Sequence, residues 1–410
     1  MKNMHIKNIK SSGKYFILLS TLFAFIGFQG HTQTAYITNQ FDNNVSVIDV
    51  ITNTVTSTIP VDSFPFGVAV SQDGARVYIS NIGDGTVSVI NTSTNSVFAT
   101  IQVGDLNGGI CVSPDGFEVY VSKTTGQLII INTGSLIISD SITGIYGNGI
   151  IVSPDGSKVY LAGSTVSVVE TSNHTIIATI PDIYASGISV NPDGSKVYVT
   201  NWSDGTVKII STATNTVIDT VDVGVHPVAL CVSPDGSKIY VSNRDGWDVS
   251  VIDTLMNNVS VTIDINDKVH GIDISPDGSK VYVIGVLGNA VNVINTITNT
   301  VVDTINIGHQ PIAFGKFISS YVPVGIATAE NLSEAISIFP NPATDVISLI
   351  ANNNFAVEKL LLYDATGRLV VEKSMNGASS FDISNLIPTL YIYEVRSTKN
   401  KSIYGKLLKQ

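Results

Sequence analysis

The sequence contains little that would support redox, metal or nucleic-acid chemistry. Its 410 residues include only two cysteines, and acidic side chains outnumber basic ones by 33 to 22. The imbalance is concentrated in residues 35–320, which hold 25 acidic and 10 basic side chains. Such a surface would repel a phosphate backbone, which argues against nucleic-acid binding. The sequence has no haem-attachment motif, P-loop, Gly-x-Ser-x-Gly elbow or Cys–His nucleophile pair, and we predict no cofactor.

No apolar run in the sequence is long enough to cross a bilayer comfortably. The longest extends from Tyr15 to Phe28, after four lysines within the first 14 residues and before a polar stretch at 29–34. This order is typical of a cleaved export signal. We therefore predict that residues 1–34 are a signal peptide and that the mature protein has no transmembrane segment. The alternative is an N-terminal anchor helix that is retained.

The chain does contain a repeat. Seven tyrosines recur at intervals of 38 to 42 residues, each within a short alternating strand: Tyr36, Tyr78, Tyr120, Tyr160, Tyr198, Tyr240 and Tyr282. A period near 40 in a strand-rich chain indicates a repeat architecture in which each unit is one small sheet.

Residues 229–264 illustrate one unit. An apolar run leads into a Ser-Pro-Asp-Gly turn at 233–236, the strand around Tyr240 follows, and two further short strands begin at Val249 and Val259. Pro presets φ, Asp caps the turn and Gly adopts a left-handed conformation, so the aspartate has a structural role. Each unit is thus predicted to be a four-stranded antiparallel blade.

The number of turns indicates how the repeat closes. Only six turns of this kind accompany the seven tyrosines, and their aspartates are Asp73, Asp115, Asp155, Asp193, Asp235 and Asp277. The repeat opens with a second strand at 35–39 and ends with a lone first strand at 311–317. Joining the two completes a seventh blade without an exposed edge. The predicted fold over residues 35–320 is all-β, a seven-bladed β-propeller, and we expect a monomer.

The two cysteines occupy the same position in their repeats, three units apart. Cys111 and Cys231 each lie two residues before a turn serine. In a ring of seven they fall nearly opposite each other, beyond the distance that a disulfide spans. We expect both to be small buried apolar groups.

The strands that carry the tyrosines resemble the YVTN family of β-propeller repeat proteins. The tetrapeptide Tyr-Val-Thr-Asn stands at 198–201, and close variants stand at 36–39, 78–81 and 240–243. The resemblance implies the fold but no single function, because the family includes surface-layer proteins, ligand-binding modules and relatives of propeller lactonases. Lys123 and Gly163 replace the usual Asn, so one side of the ring should differ.

Residues 335–410 follow a linker at 321–334 and form a separate short all-β pattern. The segments at 338–343, 362–368 and 390–395 resemble the C-terminal sorting domain of the type IX secretion system, although Thr389-Leu390 replaces the usual Gly. The resemblance implies delivery by the type IX secretion machinery, with the protein released or attached at the outer-membrane surface. The alternative is a plain β-sandwich adhesion domain.

Ligands of propellers usually bind where the chain enters the innermost strands, at the mouth of the central channel. Counting back from each turn aligns one residue per unit at this mouth. The candidate ligand-binding residues there are Phe64, Phe66, Tyr146, Tyr184, Trp202, His226, Trp247, Lys268, His270 and Gln310. Flat aromatic rings beside polar donors suit a sugar, a peptide or another amphiphilic ligand. The alternative is that these side chains only fill the funnel.

A metal site would have to use His226, His270 and His309. The three fall at different repeat offsets and lack a nearby carboxylate cluster, whereas catalytic zinc or copper needs three converging ligands. We predict no metal site.

Three hypotheses of function remain. The first is a non-enzymatic binding module, secreted or at the cell surface, for a glycan, a peptide or a surface protein. The second is an extracellular lactonase- or lyase-like enzyme that uses His226 and His270 as acid and base. The third is a purely structural surface-layer protein.

Overall fold

A computed structural model describes most of the chain. The described residues are 33–181, 183–319, 336–339, 343–351, 357–363, 369–374, 380–387, 390–397 and 402–409. Every helix or strand among them is a β-strand, and none of the described residues forms a helix that could cross a membrane. The predicted linker and all but the last two residues of the predicted signal peptide lie outside the described residues.

Residues 33–319 form seven antiparallel sheets, each made of strands that are consecutive in sequence. The first sheet has three strands: β1 (Thr34–Asn39), β2 (Asn44–Asp49) and β3 (Thr54–Pro60). The next three sheets have four strands each: β4 (Pro65–Val70), β5 (Arg76–Asn81), β6 (Thr86–Asn91) and β7 (Ser96–Gln102); β8 (Leu106–Val112), β9 (Glu118–Lys123), β10 (Gln127–Asn132) and β11 (Ile137–Thr143); β12 (Gly149–Val152), β13 (Lys158–Ala162), β14 (Val166–Glu170) and β15 (Thr175–Ile180).

The last three of the seven sheets also have four strands each: β16 (Ala185–Val190), β17 (Lys196–Asn201), β18 (Thr206–Ser211) and β19 (Thr216–Asp222); β20 (Pro227–Val232), β21 (Lys238–Asn243), β22 (Asp248–Asp253) and β23 (Asn258–Asp264); β24 (Val269–Ile274), β25 (Lys280–Gly285), β26 (Ala290–Asn295) and β27 (Thr300–Asn306). The innermost strands β4, β8, β12, β16, β20 and β24 each contact the next one in this order. This arrangement confirms the predicted all-β propeller fold.

The seven repeat tyrosines form the most regular layer of the core. Each lies on the strand that follows the innermost one and is at most 2% exposed. The outermost strands are different, since β19 and β27 bury only one residue each. Burial of the tyrosines between successive sheets explains why a single small sheet of this kind is not stable alone.

In three of the four Tyr-x-Ser/Thr-Asn strands, the Ser or Thr hydroxyl connects adjacent sheets. The Ser80 hydroxyl accepts a hydrogen bond from the Gly67 amide of its own sheet (2.9 Å) and donates one to the Gly108 carbonyl of the next sheet (2.7 Å). Ser242 makes the same bridge between Ala229 and His270. The Asn that ends the motif binds within its own sheet. These bonds satisfy polar groups that are buried between the sheets.

Small residues allow the innermost strands to approach this closely. A Cβ added to Gly67 would lie 2.0 Å from the Gly108 carbonyl oxygen, and one added to Gly109 would lie 2.1 Å from the Asn148 carbonyl oxygen. The equivalent position of every unit holds Gly or Ala: Gly67, Gly109, Gly149, Gly187, Ala229, Gly271 and Ala313. A larger side chain here would force neighbouring strands apart.

Residues 311–319, the closing segment, occupy the innermost position beside β1. Tyr36 donates its amide to the Phe317 carbonyl (2.9 Å), and Ile312 donates to the Thr38 carbonyl (3.0 Å). Thr38 also repeats the hydroxyl bridge, accepting from the Ala313 amide (2.9 Å) and donating to the Phe66 carbonyl (3.0 Å). The first sheet thereby gains an innermost strand from the end of the repeat.

The closing segment also contacts its neighbours on both sides. On one side, Val68 of β4 donates its amide to the Phe314 carbonyl (2.8 Å). On the other, the buried Asp273 carboxylate of β24 accepts hydrogen bonds from the Phe317 and Ile318 amides at 2.9 and 2.8 Å. The innermost strands therefore follow one another in a closed cycle. Burial raises the pKa of Asp273 to about 6.

The turn aspartates have the structural role predicted for them. In each of the six turns the carboxylate accepts a hydrogen bond from the Ser or Asn side chain two residues before it and from the backbone amide two residues after it. These bonds favour the charged form, and in Asp235 they lower the pKa to about 2.

The C-terminal part of the chain forms two more antiparallel sheets. One comprises β28 (Ile336–Phe339), β29 (Val346–Ala351) and β32 (Ser380–Asp382). The other comprises β30 (Val357–Tyr363), β31 (Leu369–Ser374), β33 (Leu390–Ser397) and β34 (Ser402–Leu408). Ile347, Leu362, Phe381 and Tyr391 belong to one buried cluster that both sheets share. The module therefore has its own core, as a small β-sandwich does.

We predict that Asp273 makes ring stability depend on pH. Because its pKa in the folded protein is raised to about 6, the folded state holds a proton that the unfolded chain releases near pH ~4. The stabilisation is complete below pH ~4 and is lost as the pH rises to ~6, with a total near 3 kcal/mol for a shift of this size. The Asp273→Asn side chain keeps an acceptor oxygen and is neutral at every pH. The variant should therefore not lose stability over this pH range.

The measurement is urea unfolding of both proteins from pH ~4 to ~7. The difference in unfolding free energy should grow in favour of Asp273→Asn as the pH rises. Turn aspartates whose pKa is lowered, such as Asp235, have the opposite pH dependence, but they are common to both proteins and cancel in the difference. Parallel curves for the two proteins would contradict the prediction.

Candidate functional site

One end of the ring is formed by the loops that lead into the innermost strands and by those that join second to third strands. We call this end the mouth face, and the end with the Ser-Pro-Asp-Gly turns the turn face. The two kinds of loop are hydrogen bonded to each other in a repeating way. The amides of Ile82, Trp202, Arg244, Val286 and Gln40 donate to the carbonyls of Phe64, Tyr184, His226, Lys268 and Gln310, respectively. These five predicted candidates thus occupy equivalent positions.

The position before the innermost strand has an unusual backbone. Phe64, Tyr184, His226 and Gln310 have φ values of 53°, 38°, 51° and 48°, in the left-handed region that residues other than Gly seldom adopt. Their side chains are held at the mouth face by a backbone geometry that the loop bonds maintain. Such local strain is more frequent at functional sites than elsewhere.

Aromatic rings are exposed around the mouth face. Tyr184 is 63% exposed, Tyr146 58% and Trp247 48%. Phe64 forms an edge-to-face contact with Phe41, at a centroid distance of 6.1 Å. The sequence did not single out Phe41, which lies in the second-to-third strand loop of its repeat, as Trp202 and Trp247 do in theirs.

The third four-stranded sheet along the chain departs from the pattern near Tyr146, as the sequence predicts for Gly163. Strands β12, β13 and β14 are shortened to four or five residues. A Cβ at Gly163 would lie 2.0 Å from the Tyr146 carbonyl oxygen, and one at Gly126 would lie 2.3 Å from the Tyr146 ring. Because neither glycine has a side chain, Tyr146 has room for its backbone and its ring on the mouth face.

Five side chains on three neighbouring sheets form a continuous group, which we call the Trp202 cluster: Trp202, His226, Arg244, Asp245 and Lys268. The His226 ring stacks on the Trp202 ring at a centroid distance of 4.6 Å and an interplanar angle of 6°. The Arg244 guanidinium lies over the same indole, 5.7 Å from its centroid. Asp245 binds His226 Nδ1 at 2.6 Å and Lys268 Nζ at 3.2 Å.

The charges of the Trp202 cluster are not balanced. The hydrogen bond from His226, assisted by Lys268, keeps the pKa of Asp245 below its usual range, so Asp245 is an anion that already has two partners. Arg244 is half-buried, its Nε is fully buried, and its side chain makes no hydrogen bond or ion pair to any described residue. The sequence did not indicate Arg244 or Asp245, although they follow the Asn of a Tyr-Val-Ser-Asn strand as Trp202 follows its own.

His270 and Phe66 lie deeper than the other predicted residues. The His270 ring contacts the Phe66 and Phe314 rings at centroid distances of 5.7 and 5.9 Å, and Phe66 and Phe314 are 5.7 Å apart. His270 is only 8% exposed, and burial lowers its pKa to about 3. It is therefore neutral near pH 7 and belongs to a packed aromatic group rather than to the exposed surface.

A cavity of about 420 Å³ lies inside the ring, lined by residues of all seven innermost segments. Its lining is mainly aliphatic, with Asp273 and Lys316 among the polar exceptions. Both cysteines line it as buried free thiols, in equivalent positions of β8 and β20. Phe314 links this cavity to the packed aromatic group on its mouth side. The cavity is thus separate from the Trp202 cluster.

The histidines do not converge. His309 binds Asp42 at 2.8 Å, His226 binds Asp245, and His270 contacts aromatic rings. Within the described part of the chain, no group of three or more His, Cys, Asp or Glu side chains could hold a metal ion. What the mouth face offers instead is aromatic surface beside the basic side chains of Arg244 and Lys268.

One family of known proteins matches the C-terminal part of the chain. Residues 337–410 match the family described as the secretion system C-terminal sorting domain. A comparison of the sequence with curated proteins finds no match.

Solved structures resemble the ring. A protein of unknown function from Desulfotomaculum acetoxidans superposes with a TM-score of 0.61 and 17% identity, over 69% of this chain and 100% of that one. For hydrazine synthase of Kuenenia stuttgartiensis the TM-score is 0.57 and the identity 23%, over 64% and 92%. The β-propeller domain of Cps50 (Swd1) from Myceliophteria thermophila gives 0.52 and 12%, over 58% and 86%.

At these identities the likeness concerns the fold alone. The chain therefore combines a β-propeller with a C-terminal sorting domain of the type IX secretion system, at residues 337–410.

Proposed function

We propose that this protein is a secreted or cell-surface binding module, which recognises a glycan, a peptide or another surface protein at the mouth face of its propeller. In this proposal residues 1–34 direct export, and the sorting domain engages the type IX secretion machinery. The seven sheets are the blades of a YVTN-type ring, with the closing segment as the innermost strand of the first. The propeller is then the part that acts outside the cell.

The distribution of exposed aromatic rings carries the proposal. Among the described residues, seven Phe, Tyr and Trp side chains are exposed: Phe41, Phe64, Phe98, Phe117, Tyr146, Tyr184 and Trp247. Five of these seven lie on the mouth face, and only Phe98 and Phe117 lie elsewhere. Exposed aromatic surface is costly in water, and its concentration on one face is typical of a binding surface.

One observation favours an enzyme as the second candidate. His226 and Asp245 form a short His–carboxylate pair at 2.6 Å on the open surface. The ionised Asp245 accepts the Nδ1 proton of His226, which leaves Nε2 available as a general base. The lactonase- or lyase-like alternative would then rest on His226 without His270, because His270 is buried.

We predict that mouth-face aromatics determine ligand binding. Purified protein should bind members of a glycan and peptide array, and Tyr184→Ala and Trp247→Ala should each weaken that binding about 3- to 10-fold, as expected for the loss of one stacked ring. Phe117→Ala is the matched control, because Phe117 is 67% exposed but lies on the turn face.

Equal loss in the Phe117→Ala control would contradict a mouth-face site, and so would unchanged binding in both mouth-face variants. The His226→Gln variant distinguishes an enzyme from a binding module when both the binding and the chemical conversion of an array ligand are measured. Loss of conversion with unchanged affinity would favour the enzyme hypothesis over the binding module.

We predict that the sorting domain is required for delivery. Deleting residues 337–410 should leave the propeller inside the cells of a host with type IX secretion, whereas the full chain reaches the surface or the medium. Cell fractionation and surface protease accessibility measure the difference. A deletion variant delivered as efficiently as the full chain would contradict the role of this domain.

A further inference from the structure

We propose that the Trp202 cluster is a subsite for the carboxylate of an acidic sugar, a uronic acid within a glycan. This inference rests on the proposed binding function and specifies its ligand class. It starts from the charges of the cluster rather than from the aromatic rings alone.

Arg244 is the residue that would bind the ligand carboxylate. Its guanidinium is half-buried against the Trp202 indole and has no anionic partner among the described residues, while its Nε is buried without a hydrogen-bond acceptor. A buried donor left without a partner is unfavourable. A planar carboxylate pairs with a guanidinium through two parallel hydrogen bonds, so it matches the two terminal nitrogens of Arg244, which are not among its buried atoms and make no hydrogen bond to a described residue.

The remaining charges favour an anion at this place. Asp245, the acidic group of the cluster, is occupied by His226 and Lys268. Lys268 is 31% exposed and, through its contact with Asp245, brings a second positive charge to the cluster. The repeat region as a whole is strongly acidic, with 25 acidic against 10 basic side chains over residues 35–320. The Trp202 cluster is therefore a local basic site on a surface that otherwise repels anions.

The surrounding rings favour a sugar over a peptide. Tyr184 and Trp247 are exposed on either side of the cluster in sequence and structure: the Trp202 amide binds the Tyr184 carbonyl, and Trp247 follows Arg244 in one loop. Flat rings suit the faces of pyranose units. A bound peptide commonly adds to an open strand edge, whereas the five residues of the Trp202 cluster all lie in loops between strands.

The experiment titrates the full chain calorimetrically with oligogalacturonides and with the same oligomers after methyl esterification, which keeps the sugar ring and removes the charge. We expect the free acid to bind and the ester to bind at least about 10-fold more weakly. Affinity for the acid should also fall as salt is added, since both partners are charged.

Three variants test the assignment to residues. Arg244→Gln should weaken binding of the acid about 10- to 100-fold, and Arg244→Lys should recover only part of it because lysine lacks the bidentate geometry. Lys123→Gln is the matched control: it removes one positive charge on the same face, at the end of β9, and should leave affinity unchanged. Lys268→Gln, at a side chain that is 31% exposed, should also weaken binding of the acid, and it tests the site if Arg244→Gln fails to fold.

Equal binding of acid and ester would overturn the inference, as would equal losses in Arg244→Gln and Lys123→Gln. If neutral glycans bind and depend on Tyr184 and Trp247, the binding function stands and only the acidic subsite fails. If a peptide with a free C-terminal carboxylate binds through Arg244 and oligogalacturonides do not, the sugar assignment is overturned. If no glycan or peptide binds, both the inference and the proposed function fail.

Discussion

The ring depends on the close approach of its innermost strands, which a buried hydroxyl reinforces at three of the seven junctions between sheets. In the Tyr-x-Ser/Thr-Asn strand this hydroxyl accepts the amide of its own innermost strand and donates to the carbonyl of the neighbouring one, as Ser80 does between Gly67 and Gly108. The contact is possible because Gly or Ala at the adjacent position lets the two backbones meet. A buried hydroxyl with both bonds made is stabilising, whereas one left unpaired would cost about 1–3 kcal/mol. Where it is made, this contact ties the Ser or Thr of the motif to the close spacing of two sheets.

The same contact determines how the chain closes on itself. Thr38 makes the bridge with Ala313 and Phe66, so the end of the repeat supplies the innermost strand for its beginning. The Gln40–Gln310 backbone bond at the mouth face repeats the loop contact of the complete sheets. Because the ring of sheets is closed in this way, each short loop at the mouth face is anchored at both ends by strands of the ring. Side chains such as Trp202 and Arg244 can then be held in place without a core of their own.

The sequence predicted the structural features that recur from unit to unit and missed the contacts that occur only once. The tyrosine spacing and the Ser-Pro-Asp-Gly turns located the strands, the buried tyrosines and the alignment of Phe64, Tyr184, His226, Lys268 and Gln310, because each unit uses the same local chemistry. The Trp202 cluster could not be derived in this way. Its members come from three sheets and occur once each, so their contact depends on side-chain directions between units. The burial of His270 against Phe66 and Phe314 was missed for the same reason, and Asp273 has no counterpart in the other repeats.

The most direct test of this account is hydrogen–deuterium exchange of the closing segment, followed by mass spectrometry. Six of its amides, those of Ile312, Ala313, Phe314, Phe317, Ile318 and Ser319, donate hydrogen bonds to β1, β4 or β24 side-chain or backbone acceptors. Peptides that cover 311–319 should be protected as strongly as those from β20, the equivalent strand of a four-stranded sheet. Exchange as fast as that of the exposed loops would mean that the ring is open at this sheet, and would contradict the account.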